Sequence, residues 1–181
     1  MTVRTRLAPL SPVRIGLLLV LVAAATIGLS LALTGPAQAD HVPVHGVIMA
    51  RAPFADATDV KLKGLVGGQQ HVGNAKNVAD TIVQQITIQP GGFTGWHTHP
   101  GPVIVMVESG TFTVYQGSDT SCTGFAYGPD ESFIDPGQGN VHSARNEGTT
   151  PMVAWAIYFD VPSNLASPFV GAANPGHCAG F

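Results

Sequence analysis

Beyond residue 40, apolar and polar positions alternate in short segments, and no segment has the 3.6-residue period of a helix. The clearest alternation runs through Asp59-Val-Lys-Leu-Lys-Gly-Leu-Val66, which is typical of a half-buried strand. β-branched residues dominate residues 79–89, and residues 102–107 form a continuous apolar run. Strands are predicted at 47–50, 59–66, 79–89, 102–107, 111–115, 124–127, 131–134, 141–146 and 152–161.

Glycine-rich turns separate these strands, as in Pro90-Gly91-Gly92 and Asp135-Pro-Gly-Gln-Gly139. The strand at 111–115 follows a predicted hairpin turn at 108–110 and should return antiparallel to the strand before it. Residues 69–79 are polar and predicted to be a loop, and residues 162–181 have no clear period and should form a covering tail. Short strands with glycine-rich turns indicate an all-β sandwich or barrel.

The first 39 residues differ from the rest of the chain. Three arginines lie in residues 4–14, residues 15–34 carry no charge, and Ala37-Gln-Ala39 is a small-x-small cleavage pattern. We therefore expect a secretory signal peptide over residues 1–39, cleaved after Ala39, and an extracellular or cell-envelope protein. The apolar run approaches the roughly 20 residues that span a bilayer, so an uncleaved membrane anchor is the alternative.

Composition excludes one class of partner. Only 10% of the residues are charged. Without residues 1–39, five basic residues face eleven acidic ones, a net charge of −6. A nucleic-acid-binding surface needs positive charge, so no nucleic-acid partner is expected. Contact with a membrane is expected only through the N-terminal segment, if it remains uncleaved.

Two cysteines, Cys122 and Cys178, allow one intramolecular pairing. Export favours a disulfide over two free thiols. A bridge would close a loop of about 57 residues, which is worth roughly 4 kcal/mol in the chain-entropy model. We predict the bridge because it would fasten a Gly/Pro/Ala-rich tail that has no core of its own.

The main candidate chemistry lies in residues 91–110, where His97 and His99 are one residue apart between a glycine-rich turn and an apolar strand. On an extended segment both imidazoles face the same way. A third histidine, His142, comes from a later strand. Three imidazoles suit one divalent transition-metal ion, either Fe, Mn, Zn, Ni or Cu, and we predict that the three histidines are its ligands.

The spacing resembles the two motifs of the cupin superfamily, G-x5-H-x-H-x3,4-E-x6-G and G-x5-P-x-G-x2-H-x3-N. The first motif is matched by Gly91, the two histidines and Gly110, and the second by Gly139, His142 and Asn146. The second motif's proline, Pro136, is one place early, and its first glycine is displaced to Gly128. Where the first motif has a metal-binding glutamate, this chain has Val103, which cannot coordinate an ion.

This resemblance implies a cupin β-barrel, also called a double-stranded β-helix or jelly roll, in a single-domain exported protein. The expected parts are residues 1–39 as the signal peptide or anchor, 40–78 as N-terminal strands and loops, 79–161 as the barrel core, and 162–181 as the tail. Open strand edges make a homodimer plausible.

Trp96 and Phe93 are predicted either to line the mouth of a pocket beside the ion or to pack at the end of the barrel. Val103 is predicted to form an apolar wall of the same pocket. Three functions are open: a metal-dependent enzyme such as a small-molecule dioxygenase, a non-catalytic module that binds a metal or small ligand, and a structural cupin with an empty site. The resemblance leaves the enzyme open despite Val103, because oxygenases of this family are known with all-histidine iron sites. The sequence predicts neither the catalytic residues nor the substrate.

Overall fold

A computed structural model describes residues 44–181, and these residues form twelve β-strands and no helix. Within this described part, no helix is long and apolar enough to cross a membrane. The predicted signal segment, residues 1–39, lies outside the described residues. The strands are β1 (Val44–Pro53), β2 (Val60–Val66), β3 (Gln69–Ala75), β4 (Asp80–Ile88), β5 (His97–Thr98), β6 (Val103–Ser109), β7 (Phe112–Gln116), β8 (Gly124–Tyr127), β9 (Ser132–Asp135), β10 (His142–Arg145), β11 (Met152–Val161) and β12 (Val170–Gly171).

Ten of these strands form two five-stranded antiparallel sheets. We call the sheet with strand order β1-β4-β11-β6-β9 the long sheet, and the sheet with order β12-β5-β10-β7-β8 the short sheet. Strands β2 and β3 form a separate hairpin. The alternation seen in the sequence accounts for the packing, because every second residue is buried from Ile82 to Ile88 in β4, from Val103 to Val107 in β6 and from Met152 to Tyr158 in β11. The prediction of an all-β barrel of the jelly-roll type is confirmed.

A single apolar core lies between the two sheets. The long sheet contributes mainly aliphatic side chains, including Ile82, Val105 and Met152, and the short sheet contributes Phe112 and Val114. All five are at most 6% exposed. Burying a side chain of this size stabilises the fold by about 1.5–3 kcal/mol. The core therefore joins the sheets and fixes which strand ends lie next to one another.

Two of the strand predictions are wrong. Residues 69–75 form β3 instead of a loop, because Gly67 and Gly68 both have positive φ (57° and 77°) and close a two-residue hairpin with β2. Residues 112–116 do not pair with the preceding strand. Gly110, with φ of 75°, ends β6, and β7 crosses into the short sheet, where it pairs with β8 and β10.

The C-terminal segment contacts the short sheet and includes one short strand, β12, where the sequence showed no clear period. β12 pairs with β5, and Phe181 packs against Tyr115 with ring centroids 4.7 Å apart. Cys122 and Cys178 lie at disulfide distance, with Cα atoms 5.5 Å apart. The tail is thus connected to the loop before β8.

Candidate metal centre

The three predicted histidines converge at one end of the short sheet. His97 in β5 lies directly opposite His142 in β10, so both side chains are on the same face of the sheet. His99 follows two residues after His97 and shares that face. One potential ligand nitrogen from each ring lies within 4.8 Å of the other two, and all three residues are at most 6% exposed.

Main-chain carbonyls determine which nitrogen of each neutral ring carries the hydrogen. His97 Nδ1 lies 2.9 Å from the carbonyl oxygen of Gly95, and His99 Nδ1 lies 2.9 Å from that of Pro168. His142 Nδ1 lies 3.2 Å from the carbonyl oxygen of Asn140. A carbonyl oxygen only accepts, so each Nδ1 carries the hydrogen and donates it. Each Nε2 then keeps its lone pair, the arrangement found in metal-ligating histidines.

Burial keeps the three imidazoles neutral. Desolvation, assisted by the neighbouring His142, lowers the pKa of His97 to about 3. The same two causes hold the pKa of His99 well below its usual value, and desolvation lowers that of His142 to about 4. Neutral imidazole is the form that binds a metal. The cluster is therefore ready to bind a cation at neutral pH without first losing protons.

A buried carboxylate, which the sequence analysis did not identify, lies beside the histidines. Asp135, the last residue of β9, is 4% exposed. Its Oδ2 lies 3.9 Å from His99 Nε2, and its Oδ1 lies 3.6 Å from His142 Nδ1. Desolvation raises the pKa of this carboxyl to about 6, although hydrogen bonds from Asn140 and Gly137 oppose the rise. The only available signal was the alternation of β9, which places residues 133 and 135 on the same inward face.

The histidines line a cavity of about 20 Å³. The tail closes part of it, since the ring of Phe169 lies 4.6 Å from His97 and 5.2 Å from His99, centroid to centroid. A wider pocket of about 340 Å³ adjoins this cavity, and the two share Ile86, Thr94 and Phe169. The tail residues could not be assigned to the site from the sequence because nothing in its pattern indicates where the tail folds back.

The three predicted pocket residues lie near the histidines but in different surroundings. Val103 is 1% exposed and belongs to the apolar core. Trp96 and Phe93 both pack against Phe181, with ring centroids 5.3 and 5.8 Å apart. None of the three is among the described residues that line the small cavity. Their role as pocket residues stays a prediction.

Part of the chain is similar to known proteins. Residues 84–158 match the family model described as a cupin domain. No curated protein matches the chain. Similar solved structures include a conserved protein with a double-stranded β-helix domain from Klebsiella pneumoniae subsp. pneumoniae, 25% identical, with a TM-score of 0.41, covering 51% of this chain and 75% of that one.

Two further structures show the same kind of likeness. A cupin domain from Bordetella pertussis is 18% identical, with a TM-score of 0.39, and the match covers 57% of this chain and 94% of that one. The cupin domain of an XRE-family transcriptional regulator from Enterobacter cloacae is 19% identical, with a TM-score of 0.37, and the match covers 45% and 82%. None of these likenesses carries a function across to this chain.

Proposed function

We propose that this chain, whose residues 84–158 match the family model of a cupin domain, binds one divalent transition-metal ion through His97, His99 and His142 and uses it on a small organic molecule. The observation that carries the proposal is the hydrogen bonding of the three rings. Each Nδ1 donates its hydrogen to a main-chain carbonyl, and the lone pair of each Nε2 is therefore free to bind a metal ion.

The three imidazole nitrogens suit a metal ion of borderline softness. Neutral imidazole suits Fe, Zn, Ni and Cu, and a neighbouring carboxylate also suits Mn. Three ligands leave coordination positions for a water molecule or a substrate. When bound, such an ion supplies Lewis acidity or, for Fe, Mn and Cu, redox chemistry.

The protein residues around the histidines would orient a ligand and exclude water. Phe169 covers two of the rings, and Tyr158 lies against His99 with ring centroids 5.0 Å apart. The wider pocket offers an approach for a small molecule, and its polar wall includes Gln84, whose buried Oε1 has no hydrogen-bond partner. These features support an enzyme of the small-molecule dioxygenase type.

The alternative function is a non-catalytic module that binds a metal or a small ligand. It is favoured by the size of the cavity at the histidines, because about 20 Å³ has room for roughly one water molecule. A substrate would reach the ion only through the wider pocket. Export is part of both proposals, and the cysteine pair at disulfide distance is consistent with an oxidising compartment.

Elemental analysis of the purified protein tests metal binding. We expect about one equivalent of a divalent transition metal, and loss of most of it in the His97→Ala, His99→Ala double variant, because one remaining imidazole holds an ion poorly. His45→Ala is the matched control, since His45 is exposed on β1 and distant in sequence from the cluster. Equal metal content in wild type and double variant would refute the proposal.

Oxygen consumption separates the two functions. The metal-loaded protein is incubated with a panel of small organic acids, phenols and thiols, and dissolved oxygen is followed with an electrode. Turnover that disappears in the double variant supports the dioxygenase. A metal-loaded protein without turnover, but with ligand-dependent thermal stabilisation, supports the binding module.

A further inference from the structure

Asp135 is a buried carboxylate without a permanent cationic partner. Among the described residues, its only basic neighbours within 4 Å are His99 and His142. Its hydrogen-bond donors are the neutral groups Gly137 N, at 3.1 Å from Oδ2, and Asn140 Nδ2, at 2.7 Å from Oδ1. A buried carboxylate is costly unless a positive charge accompanies it. The fold thus retains a buried acidic group beside the histidine cluster.

Strand register explains how this carboxylate reaches the histidines. Asp135 in β9 lies directly opposite Val103 in β6, and Val103 lies directly opposite Tyr158 in β11. Directly opposed residues share a face of the sheet, and all three are nearly fully buried. Two members of this row lie against the histidines, since Asp135 is near His99 and His142 and Tyr158 is near His99. Asp135 is the acidic member of the row.

We propose that Asp135 is the acidic residue of the metal centre, contributed by the long sheet to the three imidazoles of the short sheet. This inference rests on the proposed metal binding. Asp135 provides the negative charge that a divalent cation needs and that three neutral ligands lack. It does so from the strand adjacent to Val103, on the same inward face.

Zn²⁺ titration of the metal-free full-length protein by calorimetry tests the proposal. Asp135→Asn keeps the size of the side chain and removes its charge. We expect the affinity for Zn²⁺ to fall at least about tenfold, the effect typical of losing a partner of a metal site. Asp130→Asn is the matched control, since Asp130 is exposed in the turn before β9, and its affinity should equal that of the wild type.

Moving the carboxylate distinguishes a metal role from a structural one. In the Asp135→Asn background, Val103→Glu places a carboxylate on the opposed position of the next strand. We expect this double variant to regain most of the lost affinity. If Asp135 only holds the turn at Gly137 and Asn140, Val103→Glu restores nothing, and that result overturns the proposal.

A second pair of variants covers the case in which glutamate at 103 unfolds the barrel. Asp135→Glu and Asp135→Gln have side chains of equal length that differ in charge, and we expect tighter Zn²⁺ binding by Asp135→Glu. Equal affinities in this pair would overturn the proposal. A wild-type protein that binds no Zn²⁺ or other divalent metal would instead refute the proposed function.

The stability of the metal-free protein gives an independent readout. Asparagine has one acceptor oxygen where aspartate has two, so in Asp135→Asn either Gly137 N or Asn140 Nδ2 loses its acceptor, and the metal-free variant should unfold at a lower temperature than the wild type. Saturating Zn²⁺ should raise that temperature less than it does in the wild type. An undiminished rise in unfolding temperature with Zn²⁺ indicates that Asp135 has only a structural role, and that result overturns the proposal.

Discussion

The two sheets divide the work of the barrel unequally. Four of the long sheet's five strands have seven to ten residues, and its inner face is mostly aliphatic. The short sheet has strands of only two to five residues. It contains His97 and His142, and His99 directly follows its strand β5. The long sheet therefore supplies most of the stability, and the short sheet presents its histidines at a buried site.

Polar groups can be buried in the short sheet because the long sheet and the tail surround them. The long sheet contributes Asp135, and the tail contributes the Pro168 carbonyl and the Phe169 ring. Four predictions test this division between the sheets, in order of decreasing effect.

Removing the disulfide should have the largest effect. The double variant Cys122→Ser, Cys178→Ser frees the tail from the short sheet and should lower the free energy of unfolding by about 4 kcal/mol, because the unfolded chain gains entropy. Guanidinium unfolding measures it, with thiol-reduced wild type as the control that should behave like the variant. An unchanged unfolding midpoint would show that the disulfide does not stabilise the folded protein.

Truncating a core side chain of the long sheet should affect stability and spare the site. Met152 is completely buried, so Met152→Ala should cost about 3 kcal/mol of unfolding free energy. Met106, on the same sheet, is 39% exposed, and Met106→Ala is the control, with an expected effect of less than about 1 kcal/mol. The metal-to-protein ratio of the folded fraction should be unchanged in both. Loss of metal in Met152→Ala would contradict the proposed division, in which the long sheet supplies stability and the short sheet supplies the histidine ligands.

The short sheet should make the metal-free protein sensitive to acid. The pKa values of His97 and His142 are lowered to about 3 and 4, and that of His99 is also low, so near pH 5 these residues take up protons on unfolding. Asp135, with a pKa raised to about 6, releases one. The net uptake from these four groups is about two protons, so stability should fall by about 2.7 kcal/mol per pH unit as pH falls through 5.

The test is urea unfolding of the metal-free protein at several pH values. His142→Gln should reduce the slope by about one proton, or about 1.4 kcal/mol per pH unit. His45→Ala, at an exposed position, should leave the slope unchanged. Identical slopes for wild type and His142→Gln would contradict the burial of a neutral imidazole.

An outer-face substitution on the long sheet should have the smallest effect. Glu108 accepts a hydrogen bond from Trp155 Nε1 at 2.6 Å on the exposed side of the sheet. Glu108→Gln should change the free energy of unfolding by only about 0.5 kcal/mol, because water competes for both groups. Trp155 fluorescence during urea unfolding measures it. A loss comparable to that of Met152→Ala would mean that the outer face also supports the sheet.

The sequence predicted the two central strands β4 and β11 of the long sheet well because they are amphipathic, whereas it predicted only residues 47–50 of the mostly exposed β1. The prediction of residues 152–161 matches β11, and that of residues 79–89 differs from β4 by one residue at each end. β3 was missed because its residues are polar and its pairing depends on the turn at Gly67 and Gly68. Local pattern also could not show that β7 pairs in the opposite sheet, since that depends on the packing of the whole barrel.

The site was predictable to the extent that it follows strand geometry. His97 and His99 share a face through the two-residue period, and the spacing around His142 matched a family motif. The contribution of Asp135 depends on which strand lies beside β6, and that of Phe169 depends on where an aperiodic tail folds back. Both are tertiary facts, so neither could be deduced from local spacing.

The main-chain acceptors of the three histidines have an evolutionary consequence. Every residue type presents a carbonyl oxygen, so these acceptors depend on the path of the backbone at residues 95, 140 and 168. Gly95 keeps that path with a φ of 74°, which favours glycine. Sequence changes nearby that preserve the path leave the tautomers undisturbed. A lineage could diversify the loops around the centre, and with them its choice of ligand, while inheriting the same three donor nitrogens.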